Sequence, residues 1–150
     1  VLRCMPILIF ALLLPRPYRL VLPDGGRLVL FIVSLLLALI NIVAFTLLIY
    51  ISTFYTLDST GLRSLMSTLA EFLSGGLIPL PFFPESFQKV LSLFPFAGME
   101  NTPLQLYNGT MAGPDAVFGI GMQVLWAGIM IGTGAVWMRS ALKNVVAQGG

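Results

Sequence analysis

The 150 residues contain no histidine, one cysteine and few charges, eight Lys or Arg against six Asp or Glu. Without histidine there is no His-containing zinc site and no Cys-His nucleophile. One cysteine, Cys4, allows neither a CxxC redox pair nor an internal disulfide framework. Neither Lys89 nor Lys143 follows a glycine, so the phosphate loop GxxxxGK[ST] is missing, and with it that route to ATP hydrolysis. The formal charge of +2 is small and scattered, with no Lys/Arg run, which argues against a nucleic-acid partner. No cluster of catalytic residue types stands out, and an enzyme is the least favoured class.

Apolar sequence is what the chain has in quantity: 57% hydrophobic residues and a mean hydropathy of +0.95. Leu28–Leu57 contains no charge, no glycine and no proline. A helix needs about 20 such residues to cross a hydrocarbon core of about 30 Å. A soluble chain of this length could not wrap several such helices in a polar shell. The expected fold is all-α, a polytopic transmembrane helical bundle in a lipid bilayer.

Four apolar blocks divide the chain. Residues 1–14 read as the tail of a span whose beginning is missing, so the sequence is expected to be a piece of a six-span domain. Pro15 and Pro17 end this block, and Pro23-Asp24-Gly25 signals a turn. The second span is expected at 28–56, and Asp58-Ser59-Thr60-Gly61 breaks it and offers a helix cap. The third, 62–79, carries an ordered polar stripe. Ser64, Ser67, Glu71 and Ser74 are spaced three, four and three apart and share one helix face. A carboxylate in lipid costs a few kcal/mol even on the mildest scale, so Glu71 belongs against protein or a water-filled path. Bracing of the bundle is the alternative role. Asn41 in the second span is read the same way.

The fourth span, 116–138, is uncharged. Gly121, Gly128 and Gly132 recur along it, the last two as GxxxG, and mark a face for close helix packing. Between the third and fourth spans lies SGGLIPLPFFPESF, too broken for a span and too apolar for a solvated loop. Gly75 and Gly76 weaken the preceding helix, and Pro79, Pro81 and Pro84 stop it. Phe87, Val90, Leu91 and Phe94 then repeat at helical spacing before Pro95, giving a short amphipathic helix opened by Pro84. At about 15 Å it cannot cross. Residues 77–96 are therefore expected to enter the bilayer edge and return, with their freed backbone groups covered by protein or water. The following residues, PFAGMENTPLQLYNGTMAGPD, read as a loop.

Three stretches in order, SGGLIPLPFFPESFQKVLSLFPF (Ser74–Phe96), TPLQLYNG (Thr102–Gly109) and QVLWAGIMIG (Gln123–Gly132), with the tail RSALKNVVAQGG, resemble the membrane subunits of bacterial ABC transporters of the type-2 export-permease class. The resemblance runs from about Leu28 to Gly150. It implies an exporter permease in the bacterial inner membrane, with its C-terminus cytoplasmic. It also implies a partner ATP-binding subunit, which carries the ATP and Mg, and a second permease, either a copy or a relative. No cofactor or metal is expected on this chain. By the same resemblance, Asn41 and the serine–Glu71 stripe line or brace the translocation path, and the apolar collar 77–96 is its outer gate. Arg139 and Lys143 after the last span fit a cytoplasmic tail, whereas Arg16, Arg19 and Arg27 then fall outside, against the positive-inside rule. The rival readings are a channel or secondary transporter without an ATPase, and a structural membrane protein.

Overall fold

The computed structural model describes residues 22–55 and 59–146, with Phe10, Leu13 and Pro15, and leaves the side chains of Ser59 and of 143–146 undescribed. The expected partial span 1–14 lies almost wholly outside this set, as do Asp58 and the QGG tail. Five helices make up the fold among the described residues: α1 Gly25–Ser52, α2 Ser59–Ser74, α3 Glu85–Ser92, α4 Asn101–Asn108 and α5 Pro114–Val146. There is no strand among them.

Helix α1 begins three residues before the expected Leu28, because Asp24 occupies the N-cap position and the Leu28 amide bonds the Asp24 carbonyl at 2.9 Å. Arg27 pairs with Asp24 at 3.1 Å, one turn along. The hydroxyls within the long helices bond back to their own backbone, as with Thr46 to the Ile42 carbonyl at 2.7 Å and Thr133 to that of Ile129 at 2.8 Å. Lipid offers no other partner. Two helical stretches, Gly25–Tyr55 and Pro114–Leu142, are long and apolar enough to cross a membrane, with 22% and 28% of their most apolar windows buried. A core helix of a soluble protein would bury most of that surface; here Leu36, Leu39, Val43 and Leu47 point outward, where lipid can cover them.

Helices α1 and α5 run parallel. Ser34 and Asn41 meet Gln123, Ala44 packs with Met130, and Tyr55 stacks on Trp137, so the numbers rise together. On α5 the buried positions Ala116, Gly119, Gln123, Ala127 and Met130 follow helical spacing and face α1 and the re-entrant segment. Gly121, Gly128 and Gly132 lie off this face, and a Cβ on any of them would meet nothing within 4 Å. The close approaches on α5 fall instead at Gly119, beside Thr102 and Met111, and at Gly134, beside Leu48. The GxxxG face thus has no mate among the described residues.

Helix α2 returns antiparallel beside α1 and stops at Ser74, short of the expected Pro79. Its 16 residues rise about 24 Å, less than a hydrocarbon core. Gly75 ends it with φ +94°, and the amides of Gly76 and Leu77 both turn back to the Glu71 carbonyl, at 3.0 and 3.4 Å. A side chain there would strain the left-handed backbone, which is why glycine closes the helix. The chain then makes a 3-10 turn at Leu80–Phe82, runs through α3 and α4, and enters α5. Pro84 is the N-cap of α3 and not its first residue, and its carbonyl receives the Phe87 and Gln88 amides.

Helix α4 replaces the loop expected after Pro95. Pro103 sits in its first turn, where a missing N–H costs nothing, and Gly109 closes it with φ +75°. Proline near the start and glycine at the end were the available sequence signal. Leu106 is buried, and Tyr107 meets Phe31 of α1 edge-on at 5.2 Å.

Candidate functional site: a re-entrant turn between two cavities

The turn 93–100 joins α3 to α4 and reaches deep between the long helices. Met99 is buried with Ala44 and Met130, and Phe96 meets Phe45 edge-on at 5.5 Å. Met130 lies about 24 Å along α5 from its first residue, and Gln123, Trp126 and Met130 straddle the middle of the uncharged stretch 116–138. A second small core, Leu80, Leu91 and Ala97, packed by Leu73 and Phe83, holds the entering and leaving limbs together. Phe83 is its aromatic centre, against Phe72 at 5.7 Å and Phe87 at 5.2 Å.

Irregular backbone at this depth leaves carbonyls that water does not reach, and side chains bond them. Gln123, only 1% exposed, donates from Nε2 to the Gly98 carbonyl at 2.7 Å and the Ser34 carbonyl at 3.0 Å. Its Oε1 accepts from the Ser34 hydroxyl at 3.0 Å. One turn on, the Trp126 indole N–H donates to the Leu93 carbonyl at 2.9 Å. Thr102 bonds the Ala97 carbonyl at 3.2 Å, and Gln88 bonds that of Phe83 at 2.7 Å. Gly98 must be glycine for Gln123 to approach, since a Cβ would fall 2.9 Å from its Cγ. Asn41, fully buried, donates to the backbone carbonyls of Leu37 at 2.8 Å and Gln123 at 3.0 Å. Its Oδ1 has no partner; flipping the amide would set that oxygen against two carbonyls, so the orientation is fixed.

Two polar spaces flank the turn. The outer cavity, about 420 Å³, is lined by Lys89, Asn101, Gln105, Asp115 and Gln123, and by the turn at Pro95, Ala97 and Gly98. The inner one, about 250 Å³, lies between α1 and α2 and meets the turn's other side at Met99 and Glu100. Ser67, Glu71 and Ser74 of the polar stripe line it, opposite Ile42 and Phe45. A third space of about 490 Å³ shares Thr46, Ile49 and Ser67 with the inner cavity and continues past Ser64 to Arg63 and Tyr50. The stripe Ser64–Ser67–Glu71–Ser74 therefore faces a groove whose other wall, on α1, is Ile42, Phe45, Thr46, Ile49 and Tyr50, while Leu65 and Leu69 are exposed on the other side. Arg63 closes the far end, its Nη1 donating to the Tyr50 hydroxyl at 3.4 Å and its guanidinium 5.7 Å from that ring's centroid.

Asn41 lines none of these spaces and braces α1 against α5. Of the remaining collar residues, Phe94 and Pro95 line the outer cavity, Phe87 packs on Phe83, and Pro79, Pro81 and Pro84 are exposed at the segment's surface. Glu100 comes beside the stripe unforeseen, its Oε2 2.5 Å from where a Cβ on Gly76 would stand. Gln123 was also missed, although an amide in the middle of an uncharged span is the same signal that singled out Asn41.

Parallel apolar helices, mostly unburied, and a re-entrant turn sealed by side-chain donors are the frame of a membrane-embedded helical domain. The model of the family described as ABC-2 family transporter protein matches residues 19–149, and the chain belongs to that family. It is a membrane permease of ABC-type transport, of the type-2 export class, and not a member of a catalytic enzyme family. Neither a curated protein nor a solved structure matches the chain.

Proposed function

We propose that this chain forms part of the translocation path of an exporter in a bacterial inner membrane, driven by a separate ATP-binding subunit that carries ATP and Mg. A second permease, a copy or a relative, completes the path, and the open face at Gly121, Gly128 and Gly132 is suited to helix packing there. The observation that carries this reading is the turn 95–100, with one polar cavity against Ala97 and Gly98 and another against Met99 and Glu100. In this arrangement the turn closes the path. The groove past Ser64, Ser67 and Glu71 is the cytoplasmic half, and the cavity at Lys89 and Asp115 is the outer half.

In this orientation Arg63 and Arg139 lie at the cytoplasmic end, as the positive-inside rule favours, while Arg27 lies at the outer end, against it. Energy enters as a shift between two packings, because the chain has no phosphate loop of its own. Opening requires the turn to leave α5, which breaks the bonds of Gln123 to Gly98 and of Trp126 to Leu93. The test is a lock. In a Cys4→Ser background, Met99→Cys and Met130→Cys, neighbours in one buried cluster, are bridged by a short thiol cross-linker in the reconstituted complex. Transport is expected to stop and to return with a cleavable linker after reduction. A bridged protein that still exports at the unbridged rate sinks the gate.

A further inference from the structure

The outer cavity holds two opposite charges that do not pair. Lys89 from α3 and Asp115 from the first turn of α5 both line it, yet the only ion pair among the described residues is Asp24–Arg27. Lys89 sits where α3 ends and Asp115 where α5 begins, on different elements of one concave wall. Two amides, Asn101 and Gln105, line the same space, joined by a long 3.4 Å bond from Gln105 Nε2 to Asn101 Oδ1. That leaves the Asn101 N–H groups and the Gln105 carbonyl unengaged, a donor set and an acceptor inside the same space. The rest of the wall mixes polar side chains, Gln88, Ser92, Thr102 and Thr110 among them, with apolar ones, of which Phe94 is 46% and Phe118 51% exposed.

From this arrangement we infer that the outer cavity binds a zwitterion carrying a phosphate and a primary ammonium, as in a phosphoethanolamine group. The phosphate lies at Lys89 and the Asn101 amide donors, and the ammonium at Asp115 and the Gln105 carbonyl. A volume of about 420 Å³ holds such a group with its glycerol. The Phe94–Phe118 side gives acyl chains a way out into the bilayer. Two sources share this chemistry, a phospholipid headgroup and a free phosphoethanolamine ester. Occupancy does not require a transport cycle, so the inference stands apart from the gate proposed above.

The experiment uses the detergent-solubilised permease complex and native mass spectrometry, titrating phosphatidylethanolamine against phosphatidylglycerol, with glycerophosphoethanolamine as the chain-free competitor. Phosphatidylethanolamine is expected to bind about threefold to fivefold more tightly than phosphatidylglycerol, the worth of one exposed ion pair. Asp115→Asn should erase that preference, and Lys89→Glu should weaken both lipids. Competition by glycerophosphoethanolamine at equal concentration identifies the free ester as the source; failure to compete identifies the lipid. Because both side chains are exposed, neither variant removes core packing, and the melting temperature of the lipid-free complex serves as the check on folding. Equal affinity for the two lipids in the unaltered protein overturns the inference, as does a preference that survives both substitutions.

Discussion

Replacing Gln123 by leucine removes the side chain that ties the re-entrant turn to both long helices. Side-chain hydrogen bonds inside membranes average about 0.6 kcal/mol and reach about 1.7. Gln123 makes three through its side chain, with Ser34 twice and Gly98 once. The bonds alone are then worth about 2 kcal/mol. Leucine nearly conserves volume, so little cavity cost is added. The Ser34 hydroxyl can turn to a carbonyl of its own helix, as Thr46 and Thr133 do, and strands nothing. The Gly98 carbonyl has no such recourse, because Gly98 is buried and its bond to Nε2 is the shortest of the three. Leaving it bare adds about 1 kcal/mol.

The expected loss for Gln123→Leu is therefore about 2–3 kcal/mol. It is measured by titrating SDS into mixed micelles and following tryptophan fluorescence. Ser34→Ala alone should cost about 0.6 kcal/mol, and the two losses together should fall short of their sum, since both variants delete the same Ser34–Gln123 bond. Stability within about 0.5 kcal/mol of the unaltered protein for Gln123→Leu would show that the Gly98 carbonyl is satisfied elsewhere, and the account of the turn would fail.

Four further outcomes follow from the same geometry. Gly98→Ala pushes a methyl into Gln123 and should cost about 1–3 kcal/mol in the same titration, whereas Gly128→Ala meets open space and should leave the single chain unchanged or up to about 1 kcal/mol more stable. Trp126→Phe leaves a smaller aromatic ring and removes the donor to Leu93, for an expected loss of about 1 kcal/mol; no loss would show that the Leu93 carbonyl does not depend on the indole. Gly75→Ala forces a side chain into φ +94° and should destabilise by about 1–2 kcal/mol, measured against Gly113→Ala, which shares the positive φ but meets no neighbour. Glu71→Gln should lower export by the reconstituted complex while leaving co-purification of the ATP-binding subunit intact; unchanged export removes Glu71 from the path.

Periodicity and punctuation made the two long apolar helices, the serine–Glu71 face and the α3 helix legible in the sequence. Each is a local matter, in which spacing along one helix decides which face is polar, and proline decides where it stops. Boundaries shifted where one residue's backbone decided them, as at Gly75, which stops α2 before the prolines are reached. The depth of the turn was not legible, because nothing in PFAGME says which helices will close around it. Gly98 shows why: it looks like a flexible linker residue, and it is small because the stem of a distant buried side chain, Gln123, occupies the space. The packing glycines of α5 show the complementary limit, since Gly121, Gly128 and Gly132 meet nothing within 4 Å in the single chain. A GxxxG pattern marks a face able to pack closely, but only the partner decides which face is used, and here α1 and α4 take Gly134 and Gly119.

The same reasoning bears on how a proline-broken segment can sit in lipid and still move. Its carbonyls at Leu93 and Gly98 are bonded by side chains, not by a helical or sheet ladder. Breaking a ladder is cooperative and costly; releasing two side-chain bonds is about 1–3 kcal/mol in this setting. In the proposed cycle these bonds add to the burial of Met99 against Ala44 and Met130 in keeping the turn shut, and about 1.4 kcal/mol already shifts an equilibrium tenfold. A turn sealed by apolar packing alone around an unbroken helix would hold the barrier and lose the motion. On that proposal the glutamine and the indole do more than satisfy the backbone: they form a latch that a transport cycle can release.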